Sequence, residues 1–170
     1  MGLSYMMDNF YIHDLYSQQA YDNQSTMKIS PSAKAMIQSF EAFRPHAYKD
    51  GSGIRTIGYG HVILPSEDML FFVNKKQALE ILDKDITIAE SCVNKLIPFP
   101  LDQNQFDALV SLVFNIGCGA FKTSNVYKYL KQQNFMIACA YWREWVRGRN
   151  KIALPSLALR RQKEIALFNM

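Results

Sequence analysis

The chain has few cysteines, and they are not grouped. Cys92, Cys118 and Cys139 are widely spaced, form no CxxC pair and build no zinc-like cluster with the three histidines. Disulfide scaffolds usually have an even number of cysteines in a small chain, and zinc sites need close ligand spacing. The sequence therefore predicts buried, reduced thiols, a chain made in a reducing compartment, and no metal site.

Long apolar runs are also missing. No stretch approaches the roughly 18 residues that a membrane-spanning helix needs. Residues 1–30 lack the apolar centre of a secretory signal, because Asp8, His13, Asp14 and Asp22 interrupt them. We therefore expect a chain made in the cytoplasm without a Sec signal and without stable membrane insertion.

Charge of either sign is sparse, since only 20% of the 170 residues are charged and the net charge is +4. The last thirty residues nevertheless hold seven basic and two acidic side chains. Such a surface either attracts an anionic partner or is simply solvated. No groove-reading motif accompanies it, so we expect no nucleic-acid partner.

The remaining composition, 49% hydrophobic, predicts one folded domain behind an appendage. Residues 1–28 are polar and lack a sustained period, although a short helix could form near residues 10–16. The folded domain is predicted over residues 29–170, where Ser30 can cap a helix that starts at Pro31.

Residues 46–62 contain four glycines between β-formers, which is typical of a small hairpin or three-stranded sheet. Everything after them has helical spacing of apolar residues, including a long helix that Asn74 can cap. The prediction is an α+β fold, mostly α, with a small β-hairpin lobe and a helical lobe joined by that long helix. Further helices are predicted over residues 101–116, 125–133, 135–146 and 156–168.

Three polar residues around the predicted hairpin have the chemistry of an acid–base pair with a water site. Glu41 follows the first helix beside apolar residues, which disfavour the charged form of its carboxyl group, as a general acid requires. Asp50 precedes a Gly-Ser-Gly turn in a wetter place and should stay ionised. Two carboxyl groups in contrasting environments are typical of divided acid and base roles. The Thr56 hydroxyl could hold a water next to Asp50.

The order of these residues resembles the phage-type lysozymes, the endolysin muramidases of tailed phages. Glu41, eight residues, Asp50, five residues and Thr56 reproduce the family spacing. Two further blocks are similar to the family's central helical motif and to its C-terminal helix; they lie at residues 105–124 and 154–164. The resemblance covers about residues 30–170.

This resemblance implies hydrolysis of the β-1,4 bond between N-acetylmuramic acid and N-acetylglucosamine in peptidoglycan, without a cofactor. Glu41 would protonate the leaving oxygen, and Asp50 would stabilise the sugar cation and activate water held by Thr56. The water-holding role of Thr56 favours inversion over retention.

The resemblance also implies supporting roles. An arginine of the last helix would pair with Glu41, and we favour Arg161 over Arg160. His61 would be structural and paired with Asp85. Independently of the resemblance, Trp142 and Trp145 lie three apart in an apolar helix, which indicates mostly core positions, although aromatic rings can also stack on sugars. The residues implied as substrate contacts are Tyr59, Gly60, Gln105, Phe106 and Asn115.

Other functions are open at this point. A lytic transglycosylase would need no water-activating Asp50, and a non-catalytic peptidoglycan-binding module would need no intact triad. The biological role is either a phage endolysin released through a holin, which we favour, or a bacterial effector with secretion machinery and an immunity protein. In both cases the target is the periplasmic cell wall, and we expect a monomer.

Overall fold

The computed structural model describes residues 26–50, 53–148 and 151–170. The predicted appendage therefore falls largely outside the described residues, as does the predicted short helix near residues 10–16. Its last three residues are described: the Met27 backbone exchanges two hydrogen bonds with the Asn94 side chain. The Lys28 ammonium lies 2.9 Å from a Glu90 carboxylate oxygen.

The first described helix, α1 (Pro31–Phe40), begins as the sequence predicts. The Ser30 hydroxyl accepts a hydrogen bond from the Ala33 N–H, and Pro31 supplies the first helical turn with a residue that lacks an N–H. The helix buries Ala33 and Ile37 and ends at Phe40, so that Glu41 is its C-cap.

A three-stranded antiparallel sheet follows in the order β1-β2-β3, which confirms the predicted small sheet. The strands are β1 (Arg44–Lys49), β2 (Arg55–Gly58) and β3 (His61–Val62). The turn between β2 and β3 uses Gly58 at φ +65° and Gly60 at φ +85°, a region that favours glycine. A short 3₁₀ helix, Pro65–Glu67, then leads to the helical part.

The long helix α2 (Lys75–Leu96) joins the sheet to the helical lobe. Asn74 caps it with the help of Gln77, whose side chain accepts from the Asn74 N–H. The remaining helices are α3 (Gln103–Ile116), α4 (Cys118–Thr123), α5 (Asn125–Lys131), α6 (Phe135–Arg143) and α7 (Pro155–Phe168). Helix α4 was not predicted, and α6 ends before the predicted Val146.

The centre of the core is α3, whose residues 106–113 are all buried. Helices α2 and α7 pack on it, and α2 also contacts β2, so one helix belongs to both lobes. The predicted α+β fold, mostly α with two lobes, is confirmed. Of the helices in the described ranges, none is long and apolar enough to cross a membrane.

The prediction of reduced thiols is wrong for two of the three cysteines. Cys92, in the last turns of α2, and Cys118, the first residue of α4, form a disulfide with a Cα–Cα distance of 5.9 Å. Their separation of 26 residues hid the pair, because only the packing of α4 against α2 brings the two side chains together. Cys139 is free and buried, as predicted.

Candidate active site

A cleft of about 510 Å³ lies between the sheet and the helical lobe. The β side contributes Glu41, Gly60 and His61, and the helical side contributes Asp85 from α2 and Asn115 from α3. It therefore joins five of the residues that the sequence singled out. The rest of its lining is Val62, Leu64, Glu67, Lys84, Ile88, Ala89, Val113, Phe114, Gly117 and Cys118.

Glu41 is held at this cleft because α1 ends there. Its backbone N–H donates to the Gln38 carbonyl as the helix cap, and its side chain is 21% exposed. One carboxylate oxygen, Oε1, accepts a hydrogen bond of 2.7 Å from Nη1 of Arg160. The other, Oε2, faces Gly60 so closely that an added Cβ there would lie 3.1 Å away. The backbone of the β2–β3 turn thus defines one wall around the carboxyl group.

The expected arginine partner is corrected from Arg161 to Arg160. The two arginines are adjacent on α7, so their side chains point about 100° apart and only one can face Glu41. Arg161 instead donates through Nη2 to the Asn115 side-chain oxygen at 3.0 Å. Which of the two arginines faces Glu41 depends on the rotation of α7 about its axis. That rotation is set by the packing of the helix and not by the local sequence.

Behind Arg160 lies a buried carboxylate that sequence reasoning missed. Glu164 is fully buried and lies between both arginines. It also accepts hydrogen bonds from the Ser111 hydroxyl at 2.7 Å and the Trp142 indole at 3.0 Å. Burial lowers the pKa of Arg161, and the adjacent Glu164 charge opposes that shift. The Arg-Arg-x-x-Glu spacing on one helix was the available signal, since positions three and four apart share a helix face.

Asp50 and Thr56 are ordered by the β1–β2 hairpin. The Asp50 side chain accepts from the Ile54 N–H at 2.9 Å, and its backbone carbonyl accepts from the Gly53 N–H. The Thr56 side chain is buried and donates to the Ile54 carbonyl at 3.1 Å. Among the described residues, neither is part of the lining of the cleft that holds Glu41. The tip of this hairpin, residues 51–52, lies outside the described ranges.

His61 pairs with Asp85, as the resemblance implied, and it has a second acidic partner. Its Nδ1 lies 2.9 Å from a carboxylate oxygen of Asp85, and its Nε2 lies 3.1 Å from one of Glu67. The hydrogen bond with Asp85 raises the pKa of His61, burial opposes it, and Glu67 adds to the rise. The contact between His61 and Asp85 connects β3 to α2 within the lining of the cleft. The second partner, Glu67, was not predicted from the sequence.

Three residues expected to contact substrate have other positions. Phe106 is fully buried in the core. Gln105 caps α3 by accepting from the Asp102 N–H. Tyr59 is 5% exposed, packs on Phe43, and accepts from the Gln38 amide. Phe106 and Tyr59 are buried, and neither they nor Gln105 are among the residues that line this cleft. Gly60 and Asn115 do line it.

Comparison with known proteins gives one consistent family. Residues 38–164 match the family model described as phage lysozyme. The chain is 37% identical over 145 residues to an endolysin of Acyrthosiphon pisum secondary endosymbiont phage 1, covering 84% of this chain and 98% of that protein. It is 35% identical over 147 residues to the endolysin of Salmonella phage P22, with the same coverage of both chains.

The solved structures agree with the sequence relatives. The muramidase domain of SpmX from Asticaccaulis excentricus superimposes with a TM-score of 0.75 and 36% identity, over 84% of this chain and 98% of that one. Sequence and fold therefore point to the same family over the whole cleft-bearing part of the chain.

Proposed function

The chain belongs to the phage lysozyme family and is a peptidoglycan-hydrolysing lysozyme, and on this premise we propose that Glu41 is its general acid. The supporting observation concerns the carboxyl groups of the cleft. Glu67 and Asp85 are both engaged by His61. Glu41 is held by Arg160 through Oε1, while Oε2 faces the wall formed by Gly60.

In the proposed reaction, protonated Glu41 donates its proton to the glycosidic oxygen as the bond to the leaving sugar breaks. Positive charge then develops on the remaining sugar ring. The Asp50 carboxylate stabilises that charge and takes a proton from the attacking water, which Thr56 helps to hold. This is the two-carboxylate route of glycoside hydrolysis, and it balances with one water consumed and one reducing end formed.

Two outcomes distinguish this chemistry from its alternatives. Mass spectrometry of the products should show reducing muramic acid ends, whereas anhydro ends would identify a transglycosylase. Proton NMR during early turnover should show the α-anomer, since we propose inversion of the β-linked bond; a β-anomer would indicate retention.

The role of Glu41 is tested by Glu41→Gln, which keeps the shape of the side chain but has no acidic proton. Clearing of permeabilised Gram-negative cells should slow by about 10²–10⁴-fold, the usual contribution of general acid–base catalysis. The matched control is Glu80→Gln on the exposed side of α2, which should clear cells at the wild-type rate. Wall binding without clearing by the wild type would favour the non-catalytic module.

For the biological role we propose a monomeric phage endolysin that reaches the periplasmic wall through a holin. The relatives named endolysin support it. A bacterial effector is the second candidate, because the muramidase domain of SpmX comes from a bacterium. The neighbouring genes decide between them: a holin gene supports the first, and an immunity or secretion gene supports the second.

A further inference from the structure

Glu164 is not among the residues that line the cleft. Behind the cleft, its carboxylate accepts several hydrogen bonds. Its Oε1 accepts from Ser111, from Nε of Arg160 at 3.1 Å and from Nη2 of Arg161 at 2.9 Å. Its Oε2 accepts from Trp142 and lies 2.8 Å from Nε of Arg161. Ser111, Trp142 and both arginines therefore present donors to this buried carboxyl group.

The charges in this cluster do not balance without Glu41. Arg160 is 3% exposed and Arg161 is 1% exposed, and both face one carboxylate, Glu164. The three groups sum to +1. An ionised Glu41 neutralises that excess, whereas a protonated Glu41 leaves it in place. Without the charge of Glu164, the net charge of the cluster would be +2. That charge would stabilise the ionised form of Glu41 further, and the ionised form cannot donate a proton.

Glu164 also determines the direction of Arg160. Its carboxylate binds Nε, the Ser111 carbonyl accepts from Nη2 at 3.2 Å, and the ring of Phe40 lies 4.9 Å from the guanidinium carbon. Because a guanidinium group is planar and rigid, fixing two of its nitrogens fixes the third. Nη1 is then directed at Glu41.

We propose that Glu164 is a positioning residue for the catalytic acid, which aims Arg160 at Glu41 and cancels the charge of one arginine beside that carboxyl group. The inference rests on the proposed role of Glu41. Glu164 acts through Arg160 and does not touch the substrate.

Other charged groups near Glu41 are left intact by the test. Lys163 of α7 lies over the ring of Phe40, the residue before Glu41, whereas Asp50 directly follows β1 and is not among the residues that line this cleft. The remaining charged residues of the cleft come from β3, the 3₁₀ helix and α2; they are His61, Glu67, Lys84 and Asp85.

The experiment is a set of pH profiles of kcat and KM on soluble peptidoglycan fragments. Glu164→Gln raises the net charge of the cluster to +2. The alkaline limb of the kcat profile, where activity falls as pH rises, should therefore move to lower pH by about one pH unit, as expected for a charge separated from Glu41 by Arg160 in a partly buried site. Arg161→Gln lowers the cluster charge to zero and should move the same limb to higher pH. KM should change little in either variant.

The double variant Glu164→Gln/Arg161→Gln restores the wild-type charge and should return the limb to its wild-type position. Ser111→Ala is the control for packing: it removes one bond to Glu164 and no charge, so stability should fall while the limb stays in place. Folding of each variant is checked by circular dichroism, and either single charge variant, Glu164→Gln or Arg161→Gln, decides the question if it folds.

Three results would overturn the proposal: an alkaline limb of Glu164→Gln at the wild-type pH, a shift of Arg161→Gln in the same direction as Glu164→Gln, or a shift of Ser111→Ala as large as theirs. A wild-type protein that hydrolyses no peptidoglycan at any pH would instead contradict the proposed function. The two failures are therefore distinguishable.

Discussion

Cys92 and Cys118 join the end of α2 to the start of α4 by a disulfide, and Cys118 also lines the cleft. The bond connects the long helix shared by both lobes to the helical side of the active site. The number and spacing of the cysteines did not predict this disulfide, since three widely spaced cysteines are typical of free thiols.

Removing this disulfide should destabilise the fold. A Cys92→Ser/Cys118→Ser variant should lose about 3–4 kcal/mol of unfolding free energy, the chain-entropy value for a loop of this length. The measurement is a urea titration of both proteins, with and without reductant. Cys139→Ser, which removes the buried free thiol, is the comparison: reductant should still shift its midpoint. A wild-type midpoint that is indifferent to reductant would argue against the disulfide.

His61 makes stability depend on pH in a defined direction. Its pKa is raised in the folded state, chiefly by the hydrogen bond with Asp85. A group with a raised folded pKa contributes fully below its unfolded pKa, about 6.5 for histidine, and the contribution disappears as pH rises through the folded pKa. The stability gap between wild type and His61→Gln should therefore be larger at pH 5.5 than at pH 9.

Urea titrations at the two pH values measure that gap. Asp85→Asn removes the largest cause of the raised His61 pKa. In the Asp85→Asn background, the stability loss caused by His61→Gln should therefore differ less between pH 5.5 and pH 9 than it does in the wild type. Equal gaps at both pH values in the wild-type background would contradict the ion pair.

Gly60 and Gly53 form a natural pair for testing the wall beside Glu41. Both have positive φ, +85° and +78°, so alanine at either position should cost about 1–2 kcal/mol of unfolding free energy. Only at Gly60 would the new Cβ meet Glu41, at 3.1 Å from Oε2, while at Gly53 no heavy atom outside the glycine and its chain neighbours lies within 4 Å.

Gly60→Ala should thus reduce kcat, by about tenfold or more, since displaced catalytic groups lose rate steeply. Gly53→Ala should lose stability with a smaller effect on kcat. Cell clearing and thermal unfolding measured on the same preparations separate the two effects. Similar kcat values for the two variants would show that the Gly60 wall does not position Glu41.

Asp107 holds the start of the domain. It is 2% exposed and accepts from the Ser30 N–H at 2.9 Å and from the Gln103 amide at 2.8 Å, so it ties the cap of α1 to α3. Asp107→Ala should cost about 1–3 kcal/mol, because it removes the buried acceptor of the part-buried hydrogen bonds from Ser30 and Gln103. Ser32→Ala, at an exposed position beside the cap, should stay within about 0.5 kcal/mol of wild type in a urea titration.

The local elements were predictable because their signals are short-range. Ser30 and Asn74 cap helices at the predicted positions. The apolar residues with helical spacing on α2 are buried at Ala78, Leu82, Ile86, Ala89 and Val93, while Ile81 of the same predicted stripe is half-buried. Capping and helix periodicity depend on residues within about one turn, so they can be deduced without knowing the fold.

The candidate site was predictable only in part. The spacing of Glu41, Asp50 and Thr56 carried the resemblance, and the pairing of His61 with Asp85 was expected. The same motif reasoning selected Phe106, which the structure places in the core at 0% exposed. A motif marks a position that the family uses, but it does not say whether the side chain packs inward or faces the substrate.

By itself, the sequence determined most of the helices and several of their caps, the small glycine-rich sheet, and the order of the acid, the aspartate and the threonine. Only the tertiary structure decided that Arg160 faces Glu41, that Glu164 lies behind it, and that Cys92 meets Cys118. The physical reason is distance along the chain. These contacts span 119 residues between Glu41 and Arg160 and 26 between the cysteines. Their geometry depends on the rotation and docking of whole helices, which is set by burial of the complete core.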